Sequence, residues 1–107
     1  MLVNNNTSFK TNEILSMKLI TGEEIITKFI EDTGLFYKVH KPLVLSVTPQ
    51  GVAMTPFLFT ADIEGSIDIP KNAVIAATPT EKSTAGQYIK GTTGIVPASA
   101  SSLGKLI

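Results

Sequence analysis

Between Met17 and Pro79 the chain alternates short apolar runs with turn residues, and no helical periodicity separates them. Strands this close together leave no room for crossover helices. They must pair antiparallel through tight turns, and the simplest way to satisfy their edges is a small closed barrel. The first run is Ile14 to Ile20, followed by Thr21-Gly22-Glu23-Glu24, where Gly22 can take the positive φ of a hairpin turn. The second, Ile25 to Glu31, has apolar groups on both faces and ends at Asp32-Thr33-Gly34. Leu35 to Val47 is the longest, with Leu35, Tyr37, Val39, Leu43, Leu45 and Val47 on one parity, which predicts one buried face. Pro42 interrupts it, and because proline cannot donate to a ladder a bend, bulge or loop lip is expected there.

Beyond Pro49-Gln50-Gly51 a fourth run spans Val52 to Phe59, and a polar loop occupies 61–65. Ser66 to Ile69 is short, Pro70-Lys71-Asn72 makes a sharp corner, and Ala73 to Ala77 is the last apolar run. The expected fold is mainly β: about five strands in a strongly bent antiparallel barrel over 14–78. The period then changes. Thr78-Pro79-Thr80-Glu81 fits a capping box, with Thr78 as N-cap, Pro79 at the first helical position and Glu81 reaching back. Ala85, Tyr88 and Ile89 form a short stripe, and Gly91 can end the helix, predicted over 79–90. A flexible arm, 1–13, is expected before the barrel and a mobile tail, 91–107, after the helix.

Composition narrows the function classes. A chain of 107 residues makes one domain with one core. Nine basic and nine acidic residues cancel, which argues against a protein held to nucleic acid by bulk charge. A neutral chain with 43% hydrophobic residues also lacks the self-repulsion that keeps proteins monomeric, so self-association is expected. Without cysteine, disulfide scaffolds, zinc ribbons and thiol nucleophiles are excluded. Asn4-Asn5-Asn6-Thr7-Ser8 stands where a signal peptide would need an apolar run, and no run approaches about twenty apolar residues, so a cytoplasmic location is expected.

The chemical candidates are few. Glu23-Glu24, Glu31-Asp32 and Asp62/Glu64 read as solvated surface rather than an acid/base pair. No His/Asp cluster suggests a metal, Gly86 and Gly91 lack the Lys-Ser/Thr of a phosphate loop, and an enzyme or a cofactor is not expected. His40, the single histidine, lies on the parity opposite the apolar run. It is either ordinary polar surface or a ring that stacks on an unpaired base. Lys71-Asn72 is either a plain turn or a ligand-facing loop with one cation and one amide. Phe57, Leu58 and Phe59 read as core or interface, since an RNA-stacking platform is usually interleaved with basic residues.

Three segments together resemble the Sm and Sm-like family. Met17-Lys18-Leu19-Ile20-Thr21-Gly22-Glu23-Glu24-Ile25 is similar to its opening hairpin. His40-Lys41-Pro42-Leu43-Val44-Leu45 resembles its His-Met-Asn-Leu-Val-Leu segment, and Ile69-Pro70-Lys71-Asn72-Ala73-Val74 its Ile-Arg-Gly-Asp-Asn-Val signature. Order and spacing over about Ile14 to Thr78 carry the likeness, which points to divergent phage or marine metagenomic members. The resemblance implies a homo-oligomeric ring, with a strand at about 53–59 pairing with about 73–77 of the neighbour and single-stranded RNA near the pore. His40, Lys41, Lys71 and Asn72 are the implied RNA-binding residues, His40 standing where the family stacks a base. Pro42 falls where the family has the Asn that hydrogen-bonds uracil, so uridine preference is expected to be weak. The alternative is a structural β-barrel that forms a ring and binds no RNA.

Overall fold

A computed structural model describes residues 8–92. Six strands and one helix follow in order: β1 (Ile14–Leu19), β2 (Glu24–Asp32), β3 (Phe36–Thr48), β4 (Gly51–Pro56), β5 (Ser66–Pro70), β6 (Val74–Pro79) and α1 (Lys82–Thr92). A 3-10 turn, Lys71–Ala73, joins β5 to β6. All pairings are antiparallel in one sheet of order β4-β3-β2-β1-β6. β4 pairs with Leu43–Thr48 and β5 with Phe36–His40. Because β2 holds the other edge of β3, β4 and β5 must lie end to end along the remaining edge.

The expected five strands are therefore six, because Ser66–Pro70 makes its own ladder with β3. The expected closed barrel is also corrected. Among the described residues β4 pairs only with β3 and β6 only with β1, so the sheet is open. Its curl is nevertheless dictated by the chain. Strands β5, β3, β2, β1 and β6 laid flat would separate β5 from β6 by roughly 19 Å, at about 4.8 Å per neighbour. The three-residue turn that joins them spans at most about 10 Å. The sheet must bend to bring its ends together, and at the corner the turn takes the place of ladder bonds.

Each face of the curled sheet carries its own core. Leu15, Met17, Leu19, Ile25, Phe29, Val39 and Ile69 fill the inner one, joined by Tyr37, Val44 and Phe57. Ile14, Ile26 and Tyr88 form the outer one, with Leu43, Leu45, Met54 and Ala85 against them. In β1 the alternation is direct: Leu15, Met17 and Leu19 point in, Ile14 points out.

The single-parity stripe expected along β3 is split between these cores. Tyr37 and Val39 belong to the inner cluster, Leu43 and Leu45 to the outer. The cause is a β-bulge. Ile26 pairs with Leu43 but Lys28 with His40, so Lys41 and Pro42 oppose Thr27 alone. Lys41 takes a left-handed φ of 53°. One extra residue moves every later side chain to the other face. A second irregularity follows in β2, where Ile30 is the extra residue between Phe29↔Val39 and Glu31↔Lys38.

The ends of the described chain differ in their attachment. Residues 8–13 are fastened to the sheet: Phe9 meets Phe29 edge-on at 5.7 Å, Asn12 N donates to Phe29 O, and Thr11 Oγ1 donates to Ile30 O. The rest of the arm, 1–7, and the tail from 93 onward lie outside the described residues. At the helix start the expected cap is corrected. Thr78 and Pro79 belong to β6, paired with Ser16 and Leu15, so they are not free to open a helix. Glu81 caps instead, its carboxylate accepting from Ser83 N at 3.1 Å and Thr84 N at 2.9 Å. The helix runs Lys82–Thr92, against an expected 79–90.

Candidate functional site

The bulge that redirects β3 also determines what His40 and Lys41 can do. A left-handed lysine is strained, at a cost of roughly 1–3 kcal/mol, and persists only where its surroundings hold it. Here four hydrogen bonds do so. Thr27, fully buried, donates its hydroxyl to His40 O at 2.8 Å. Tyr88, 1% exposed, donates its phenol to His40 O at 3.1 Å and to Lys41 O at 2.6 Å. Lys41 Nζ reaches across to donate to Thr92 O at 3.0 Å, placing a cation at the negative end of α1. Burial of the Tyr88 phenol pushes its pKa upward, so it stays a donor through the neutral range.

His40 stands across the strand from Val39, on the outer face, paired with Lys28 and Ser66. Its ring is half-buried, and Nε2 is shut off from solvent with no hydrogen-bond partner. A ring in this position offers little open face for stacking. Lys41 is likewise committed, as a strut between the bulge and the end of the helix.

Lys71 and Asn72 sit elsewhere. Lys71 N donates to Leu35 O, closing the corner against the β2–β3 turn. Its Nζ pairs with Asp32 Oδ2 at 2.8 Å and lies 5.2 Å from the centre of the Tyr37 ring. Asp32 also accepts from Gly34 N through Oδ1. The Lys71 hydrogen bond, then that from Gly34, holds the Asp32 carboxyl below its ordinary range. Asn72 is exposed. Four residues of β3 separate the two groups, since Phe36 pairs with Pro70 and His40 with Ser66. At about 3.3 Å per residue that is roughly 13 Å. A single chain does not bring the four expected residues into one site.

Sequence reasoning missed Thr27 and the phenol of Tyr88 as the groups that hold the bulge. Nothing local marks Thr27. Tyr88 was visible as part of an apolar stripe, and a tyrosine that must be buried usually needs a partner for its hydroxyl. It also missed a cleft on the outer face, between the first turns of α1 and the β3–β4 hairpin, of about 370 Å³. Among the described residues no three His, Asp or Glu side chains gather to hold a metal ion, and no helix is long and apolar enough to cross a membrane.

The fold and its sites define a class in structural terms: an open, curled antiparallel sheet with one helix packed on its outer face. No protein-family model and no curated protein matches this chain.

Proposed function

We propose that the chain is an Sm-like assembly module whose copies close into a homo-oligomeric ring by adding strand β4 of one subunit to strand β6 of the next. One observation carries this reading: among the described residues the open sheet ends in two apolar strands, each with one edge unpaired. β4 presents Val52, 62% exposed, and is followed by Phe57-Leu58-Phe59, with Phe59 78% exposed. β6 presents Ile75 at 65%. Soluble proteins usually guard an edge with charge, proline or a short strand. Here both edge strands are six residues long and end in proline, but neither holds a charge along its length. A contact between two different edges is heterologous, and it closes into a ring when the rotation per subunit divides the circle. The order and spacing of the three resembling segments also support the Sm-like reading.

Sedimentation at micromolar concentration tests it. The expected species is a single closed oligomer, a whole multiple of the 11.4 kDa chain. Ile75→Lys, at an exposed position, should leave the fold intact and give monomers. A wild-type chain that sediments as a monomer overturns the reading.

A second reading, that the ring holds single-stranded RNA, draws its support from the Lys71–Asn72 corner. The Lys71–Asp32 pair is solvent-accessible on both sides, 36% and 48%. Exposed pairs contribute at most about 1 kcal/mol, so a phosphate can take the place of Asp32. Asn72 beside it is exposed and free to present an amide to a base edge.

A further inference from the structure

We propose that the outer-face cleft between α1 and the β3–β4 hairpin is the docking site of this chain's own segment Leu103-Gly104-Lys105-Leu106-Ile107. The inference stands apart from ring formation and RNA binding.

The cleft begins where the outer core ends. Helix α1 covers Ile14 and Ile26 through Tyr88 and Ala85. The apolar face of the hairpin continues beyond the helix, through Leu45 and Met54 to Val47 and Val52, which line the cleft floor. Val47 is 88% exposed, although its cross-strand partner Val52 points to the same face. The rim is polar, with Ser16, Thr80, Thr84 and Gln87, and carries two carboxylates, Glu24 and the helix-capping Glu81. At about 370 Å³ the cleft is at the small end of ligand-holding sites, roughly 300–1,000 Å³. It suits a few side chains of an extended segment, not a helix.

Chain length, charge and direction select the occupant. The described chain leaves α1 at Thr92, whose carbonyl Lys41 holds. The cleft lies beside Glu81 and Thr84, at the other end of the helix. An eleven-residue helix is about 16 Å long. Ten residues, 93–102, span up to about 33 Å and so can return along it. Leu103–Ile107 then supplies three large aliphatic side chains and Lys105, the single charged side chain in residues 93–107. An apolar segment with one cation matches the four apolar side chains of the floor and the Glu24 carboxylate beside them. At the other end of the described chain Phe9 packs on the inner core beside Phe29 and Tyr37, on the face opposite the cleft.

Because the chain has no cysteine, Ser101→Cys carries a nitroxide label at one position in the full-length protein. The expected result is paramagnetic broadening of the Val47, Val52 and Met54 methyls, with Val39 and Ile67 on the inner face untouched. Adding Glu24→Lys should remove most of that broadening without altering the fold, since Glu24 is exposed. Absent or uniform broadening overturns the proposal. A mixture of spin-labelled, isotope-silent chains with unlabelled, isotope-enriched chains decides the source. Broadening of the enriched chains there assigns the cleft to a neighbour's segment and overturns docking within one chain.

Discussion

At the residue scale, Tyr88 and Lys41 explain each other. The left-handed lysine lets β3 feed two cores, and the tyrosine hydroxyl holds the carbonyls on either side of it. Tyr88→Phe keeps the packing and removes that donor. His40 O retains the Thr27 hydroxyl, but Lys41 O loses its shortest side-chain partner. The expected loss is about 1–2 kcal/mol, read by urea denaturation at neutral pH. A pH signature separates this from a packing effect. Burial raises the phenol's pKa above its ordinary 10.0 in the folded chain. Native protein therefore binds a proton that unfolded protein releases, and stability is full below pH 10 and falls as the pH rises above it. The variant has no phenol at this position, so its stability should fall less than that of wild type above pH 10. Equal slopes would show that Tyr88 does not carry the alkaline loss.

At the scale of elements, the strands were legible in the sequence and their faces only in part. Period two with turn residues between located β1, β2, β3, β5 and β6 within a residue or two. What failed was the assumption that Tyr37 and Leu45 share a face. Pro42 signalled an irregularity, but the extra residue is fixed by Thr27 and Tyr88, which come from distant parts of the chain. The helix was legible from Ala85, Tyr88 and Ile89, while its start was not. Thr78-Pro79 has good local capping chemistry, but β1 claims both residues for its ladder. The consequence is a reversed mutational pattern. Thr78→Ala, at an exposed strand position, should change stability by less than about 0.5 kcal/mol. Glu81→Ala should lower helix content and speed hydrogen exchange at Ser83 and Thr84. Bonds from the Thr84 amide, then its hydroxyl and the Ser83 amide, depress the Glu81 pKa below 4.5. Its contribution is therefore present above pH 4.5 and lost as the pH falls through the lowered value. Helix loss in Thr78→Ala with none in Glu81→Ala would refute the assignment.

For the whole molecule, the question is how a neutral chain could hold a polyanion. Four candidate residues were legible as a set only through their likeness to known motifs, and folding separates them. Lys41 is bound to Thr92 O, His40 is half-buried, and Lys71 is shared with Asp32. Of the four candidates a monomer thus offers one exchangeable cation, at the Lys71 corner, too little for useful affinity. A ring repeats that corner around its axis, and a single strand touching several corners binds at high effective concentration. Filter binding of single-stranded homopolymers against salt separates the two readings of the ring. If it holds RNA, log affinity falls with log salt by about 0.7 per phosphate engaged, and Lys71→Ala flattens that slope. His40→Ala should then cost less than the roughly 1–3 kcal/mol of a fully stacked base, because its ring presents little open face. Uridine and adenosine polymers should bind alike, since Pro42 has no polar group to read either. The ring-disrupting Ile75→Lys should abolish binding while leaving the corner itself unchanged, because the affinity belongs to the repeat. If closed rings bind no homopolymer even at low salt, the ring is an assembly device, and the Lys71–Asp32 pair serves only to fasten the β5–β6 corner to the β2–β3 turn.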